Sequence, residues 1–196
     1  NAYYFGGSSY FELGDFANAL SLLDAVVAQS ASSFRDGALL YAGRSHYELG
    51  VLDGVPTSSH FDSADGYFED LFASHPTSVY IDNGRYYYGL TRYQAEDFTV
   101  AAQRFADFRA AFPTSVYYDN AWYYQGRSYY KLADYTLAAT TLEALYAALP
   151  ASGYADDALY YGARSRYQLG RAGSDPDYET AIAAFPEKLA RTTARM

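Results

Sequence analysis

The sequence predicts an all-α protein, an α-solenoid of about five helical hairpins, and three observations lead there. The first is a fixed period: Pro76 to Pro113 is 37 residues, Pro113 to Pro150 is 37 and Pro150 to Pro186 is 36, while Asp82, Asp119 and Asp156 repeat the 37. A period of this length marks stacked supersecondary units. The second is recurrence inside each unit. A small residue returns at Gly7, Gly43, Gly89, Gly126 and Ala163, and an aromatic four residues later at Phe11, Tyr47, Tyr93, Tyr130 and Tyr167. The third is apolar spacing of helical type within one unit, with a proline closing it.

The stretch from Pro113 to Pro150 shows how one unit decodes. Ser115 stands where an N-cap is expected, and Asp119 falls in the first turn, where a carboxylate suits the helix dipole. Trp122, Tyr123, Tyr130 and Leu132 recur at helical spacing. Ala133-Asp134 breaks the helix, and Asp134 caps a second one with Tyr135, Ala138, Leu142 and Leu145 as its buried stripe. Second helices elsewhere repeat the theme, with a small residue at Ala19, Ala64, Ala101, Ala138 and Ala181 and a large one at Leu23, Phe68, Phe105, Leu142 and Phe185. Neither helix hides its apolar face alone, so neighbouring copies must.

In chain order, one solenoid domain spans 1–196, with units at about 1–31, 32–76, 77–113, 114–150 and 151–185 and a C-terminal helix at 186–196. The first unit opens on Tyr3, Tyr4 and Phe5 with no polar capping helix before them, and a preceding part carrying any targeting segment is expected to have been removed. In the second, Asp36 to Asp82 is 46 residues, an insertion of about nine, and VLDGVPTSSHFD reads as a surface loop over 51–62. The third and fourth are the most regular, although Ala95-Glu96 replaces the usual Leu-Gly at the turn. The fifth departs after Gly170 with an insertion and a short second helix from Asp177 to Phe185.

The turn Gly14-Asp15-Phe16, the small residue of the first helix, the alanine and aromatic of the second and the closing proline resemble the tetratricopeptide repeat (TPR) in order and kind. The P-T-S-x-Y-x-D linkers at Pro76 and Pro113, with a period of 37, look most like periplasmic TPR proteins of Gram-negative bacteria, including the Tol–Pal-associated protein and the outer-membrane assembly lipoproteins. The resemblance implies a right-handed solenoid with first helices on the concave side, a scaffold for protein–protein interaction, and a periplasmic or extracellular bacterial location.

Composition narrows the chemistry. A formal charge of −9 argues against nucleic acid and against anionic membrane surfaces. No apolar run approaches 18 residues, so no membrane insertion is expected. Absence of cysteine removes thiolate metal sites and cysteine nucleophiles. His46, His60 and His75 are scattered and no nucleophile elbow accompanies them, so no catalytic residue is assigned. His60, Asp62 and Asp65 fall short of a metal signature, and Asp175, Asp177 and Glu179 lack the calcium-loop pattern. No metal and no cofactor is expected.

Twenty-four tyrosines are the outlying count. Tyrosine suits half-buried and partner-binding surfaces. One row along the first helices, Tyr10, His46, Arg92, Tyr129 and Arg166, is expected to be exposed and to bind a protein or peptide. A second row, Phe5, Tyr41, Tyr87, Tyr124 and Tyr161, is expected to be core. An alternative function is a self-stacking subunit of an extracellular fibre. The first 34 residues hold Glu12, Asp15 and Asp24 and no base, whereas the end holds Lys188, Arg191 and Arg195, so Tyr3, Tyr4 and Phe5 on one side and those three cations on the other are its candidate end-to-end contacts.

Overall fold

Each unit folds as a pair of helices because the same three features recur: a short break, a second helix whose start carries a capping side chain where one is seen, and an apolar stripe at i, i+4 and i+7 along it. The computed structural model describes residues 2–171. The described helices are α1 (Ala2–Glu12), α2 (Phe16–Val27), α3 (Arg35–Asp53), α4 (Ser59–Ser74), α5 (Ile81–Gln94), α6 (Phe98–Ala111), α7 (Tyr118–Lys131), α8 (Tyr135–Ala148) and α9 (Ala155–Arg171), and no strand occurs among the described residues.

By packing the chain divides into two units, Asn1–Asp97 and Phe98–Met196, with the boundary between α5 and α6. In the first, each helix from α1 to α5 packs on the next, and α3 also touches α1 and α5. In the second, α6 to α9 pack in sequence and α7 touches α9. Within each unit this is the stacking expected of helical repeats, in which a first helix meets its own partner helix and the first helix of the neighbouring repeat.

The second helices carry the core. Ala19, Leu23 and Val26 of α2, Ala64, Phe68 and Leu71 of α4, Ala101, Phe105 and Phe108 of α6, and Ala138, Leu142 and Leu145 of α8 are all buried. Facing them, glycines of the first helices allow close approach. A Cβ on Gly7 would lie 2.7 Å from Leu23 Cγ, one on Gly43 2.6 Å from Phe68 Cε1, and one on Gly126 2.5 Å from Leu142 Cγ.

Caps follow the sequence in the second helices. Asp15 accepts the Asn18 amide at 3.2 Å and Asp134 that of Leu137 at 3.0 Å. The turn before them needs a left-handed residue: Gly14 has φ 77°, but Glu96 and Ala133 adopt φ 57° and 59° at the same place. Where Ala95-Glu96 replaces Leu-Gly, the turn retains the conformation glycine favours and imposes it on a residue with a Cβ.

Two expectations are corrected. Ser115 is not the N-cap of α7: the helix starts after Tyr117 without a side-chain cap, and the Ser115 hydroxyl accepts the Tyr117 amide at 3.2 Å. Ser32, Ser78 and Ser152 do the same for Phe34, Tyr80 and Tyr154. The insertion of the second repeat is not loop throughout, because α3 continues to Asp53, Gly54 closes it at φ 68°, and α4 starts at Ser59. Ser58 clamps the short connection by donating to Asp53 at 2.6 Å and accepting the His60 amide at 3.3 Å.

Candidate functional site

First helices present three kinds of position, and the structure separates them differently from the sequence reading. The deepest aromatic or aliphatic row lies one residue before the row expected to be core: Tyr4, Leu40, Tyr86 and Tyr123 are 9% exposed or less. Tyr41, Tyr87, Tyr124 and Tyr161 are half-buried, and Phe5 is 56% exposed. One residue is about 100° of helix rotation, enough to turn the expected row from the partner helix toward the flank.

The row expected to be exposed is so only at Tyr10, which is 39% exposed; His46, Arg92, Tyr129 and Arg166 are half-buried. Their heads are used internally. Arg92 of α5 donates from Nε to Asp65 at 2.7 Å and from Nη2 to Asp62 at 2.8 Å, both on α4. Arg166 of α9 grips Glu143 of α8 through two bonds of 2.8 Å. In both cases the first helix of one repeat is tied to the second helix of the repeat before it. Tyr129 accepts from Gln125 Nε2 at 3.4 Å, and the Gln125 oxygen accepts from Arg109 at 2.6 Å.

His46 meets His60 with Nδ1 atoms 2.8 Å apart, lies stacked on Tyr67 at 5.4 Å, and Tyr67 donates to Asp24 at 2.6 Å. Burial first, then the neighbouring His60, hold the His46 imidazole below its ordinary pKa, so it is a neutral ring at physiological pH. Burial, then the bond to Asp24, pushes the Tyr67 phenol well up. The sequence reading took the histidines as scattered; fourteen residues apart, His46 and His60 are neighbours because the α3–α4 connection folds them onto one another.

No group of three or more His, Cys, Asp or Glu placed to hold a metal occurs among the described residues. At the junction singled out for His60, Asp62 and Asp65, both carboxylates already receive Arg92, and Thr91 also donates to Asp65. The residues Asp175, Asp177 and Glu179 lie outside the described residues.

Two features escaped sequence reading. The first is a guanidinium after the packing glycine. Arg44 sits 4.6 Å from the centroids of both Phe11 and Tyr87, and Arg127 lies 3.7 Å from Tyr161 while donating to the Tyr123 hydroxyl at 2.6 Å. Gly43-Arg44-Ser45, Gly126-Arg127-Ser128 and Ala163-Arg164-Ser165 carry that signal, and the serine of each returns its hydroxyl to the carbonyl four residues earlier at 2.7 Å. The second is the linker. Ser78 donates to Asp36 at 2.7 Å and Ser152 to Asp119 at 2.6 Å, so the aspartate read as a dipole partner is also the acceptor for the next linker. Tyr154 then stacks on Tyr123 at 4.8 Å and accepts from Asn120 at 2.9 Å. Two successive linkers also frame a cavity of about 430 Å³, lined by Pro113, Tyr118, Asp119, Leu149 and Pro150 among others.

Of the candidate end contacts, Tyr3 is 55% exposed and Phe5 comparably so. Tyr4 is not available: it is buried, packs on Phe34 at 5.1 Å, and its hydroxyl lies 3.4 Å from that of Tyr80. Lys188, Arg191 and Arg195 lie outside the described residues.

Comparison with known proteins agrees with this architecture. The family model YfiO, described as an outer membrane lipoprotein, matches residues 82–192, which is 111 of the 196. A solved structure of MamA from AMB-1 is 19% identical, covering 94% of this chain and 90% of that one with a TM-score of 0.63. A further crystal structure of MamA is 16% identical over 96% and 95%, with a TM-score of 0.69. TPR-like repeats of a putative kinesin light chain from Podosopora anserina are 13% identical over 97% and 95%, with a TM-score of 0.66. At these identities the likeness is one of fold. No curated protein matches the sequence.

Proposed function

Since the chain belongs to the YfiO family of outer membrane lipoproteins, we propose that it is a non-catalytic TPR scaffold that holds a protein or peptide partner at a bacterial cell envelope, on the periplasmic or extracellular side. The observation that supports this is the content of the first helices. Half-buried tyrosines alternate there with arginines stacked on rings, as Arg44 is between Phe11 and Tyr87. Tyr and Arg dominate interface hot spots, and a ring or guanidinium already fixed by packing loses little freedom when a partner docks. No helix of the described residues is long and apolar enough to cross a membrane. The net charge of −9 disfavours nucleic acid as the partner.

Within the row Tyr10, His46, Arg92, Tyr129 and Arg166, Tyr10 and Tyr129 serve as direct contacts. Arg92 and Arg166 hold the helices that present them. The test is a pull-down from envelope fractions with Tyr10→Ala and Tyr129→Ala chains. Loss of a partner that the wild type retains, at unchanged helicity, supports the reading. Unchanged recovery overturns the assignment of this row.

A second reading rests on Tyr3 and Phe5, two exposed rings in the first turns of α1. They fit an end-to-end contact with another copy, which builds a fibre when the rotation does not close. Light scattering on the purified chain decides it: monodisperse monomers at high concentration exclude the fibre, and concentration-dependent growth abolished by Phe5→Ser supports it.

A further inference from the structure

We propose that His46 and His60 form a proton-operated latch on the second hairpin, tying α3 to the first turn of α4 while the pair holds a single bridging proton and releasing it once both rings are cations. Their Nδ1 atoms stand 2.8 Å apart, so one must donate and the other accept. That arrangement tolerates two neutral rings or one cation. It does not tolerate two, because both Nδ1 atoms would then carry hydrogens aimed at each other.

The surroundings set the balance. From α4, His60 and Tyr67 face His46; from α2, Asp24 does, although its carboxylate already accepts the Tyr67 hydroxyl. The other helices packed on α3 send their charges elsewhere. Glu12 of α1 acts on Tyr41, Arg92 of α5 is held by Asp62 and Asp65, and Glu48 of α3 itself lies near Arg44. His60 sits in the first turn of α4. Burial opposes a cation on His46. The second proton is therefore the harder one to add. What release frees is the connection over 54–58 that Ser58 otherwise clamps between Asp53 and the His60 amide.

The experiment follows the imidazole carbon-bound protons of the full chain by NMR from pH 8 to pH 4.5, with amide exchange of residues 54–60 over the same range. In the wild type, the His46 midpoint is expected at least about one pH unit below that of His46 in His60→Gln, the separation typical of coupled sites. Exchange of 54–60, taken throughout relative to the intrinsic rate of an unprotected amide at the same pH, is expected to rise about tenfold through the lower step, one pH unit being a factor of ten. In His46→Gln and His60→Gln, where glutamine still offers both a donor and an acceptor, exchange is expected to stay flat. Equal His46 midpoints in wild type and His60→Gln overturn the latch, as does an exchange rise of the same size in all three chains. If a variant proves unfolded by circular dichroism at pH 7.5, the wild type decides alone: two rings titrating singly at ordinary midpoints, without a rise in exchange, overturn it.

Discussion

Gly126→Ala and Gly66→Ala are the same chemical change inside two helices, and the structure predicts opposite signs. In an exposed helix interior, alanine in place of glycine stabilises by about 0.8–1 kcal/mol, through backbone entropy. A Cβ on Gly66 of α4 meets nothing within 4 Å, so that gain is expected whole. A Cβ on Gly126 lands 2.5 Å from Leu142 Cγ and 2.6 Å from Cδ2. Ordinary contact begins at 3.4 Å, so at least 0.9 Å must be found. Leu142 is fully buried, and the atom in the way is its branch carbon, which a rotamer change hardly displaces. Overpacking costs about 1–3 kcal/mol, and a 0.9 Å intrusion on a branch carbon belongs at the upper end, about 2–3, which outweighs the propensity gain and leaves a net loss of about 1–2 kcal/mol. The two variants are therefore expected to differ by about 2–3 kcal/mol in urea unfolding followed by circular dichroism, at unchanged slope. Equal or greater stability of Gly126→Ala refutes the close approach of α7 to α8 on which the hairpin rests.

Other consequences are equally direct. Ala133→Gly relieves a left-handed residue at φ 59° and is expected to stabilise by about 1 kcal/mol in the same assay. Ser152→Ala removes the donor to Asp119 and is expected to cost about 1 kcal/mol. Arg92→Ala strips the cation from Asp65, which is 5% exposed, and is expected to cost about 3 kcal/mol, so its effect on a partner must be read against its stability. Acid and alkali both act through displaced pKa values. His46 is held below its ordinary 6.5, so the folded chain binds fewer protons than the unfolded one, and its contribution is complete above 6.5 and lost as the pH falls below that. The phenols of Tyr4, Tyr67 and Tyr123 are raised, mainly by burial, so their contribution is complete below pH 10 and lost as the pH climbs through their folded values. Absorbance at the phenolate band should accordingly show a class of tyrosines that ionises only with unfolding.

The period, the helical hairpins and the buried second-helix stripe were legible because each rests on spacing alone. Ala138, Leu142 and Leu145 recur at one face whatever they touch. The side-chain partners were not legible, because they cross between helices whose relative register no local pattern encodes. Arg92 and Arg166 looked like free cations on a surface row until Asp62, Asp65 and Glu143 came into place beside them. The shift of the core row from Phe5 to Tyr4 has the same origin, since both residues fit an aromatic slot and only the neighbour decides between them. Linker serines were misplaced because a hydroxyl three residues before a helix can cap the helix or the turn ahead of it, and here Tyr117, itself a repeat feature, occupies the cap.

The central claim is that the first helices face a protein partner. Site-specific photo-cross-linking tests it most directly, with a benzophenone side chain placed at Tyr10, at Tyr129 and, as a control, at the exposed linker residue Val79. The account predicts a discrete heteromeric adduct from the two tyrosine positions and none from the linker. Adducts confined to the linker, or none at either tyrosine in intact cells, would contradict it.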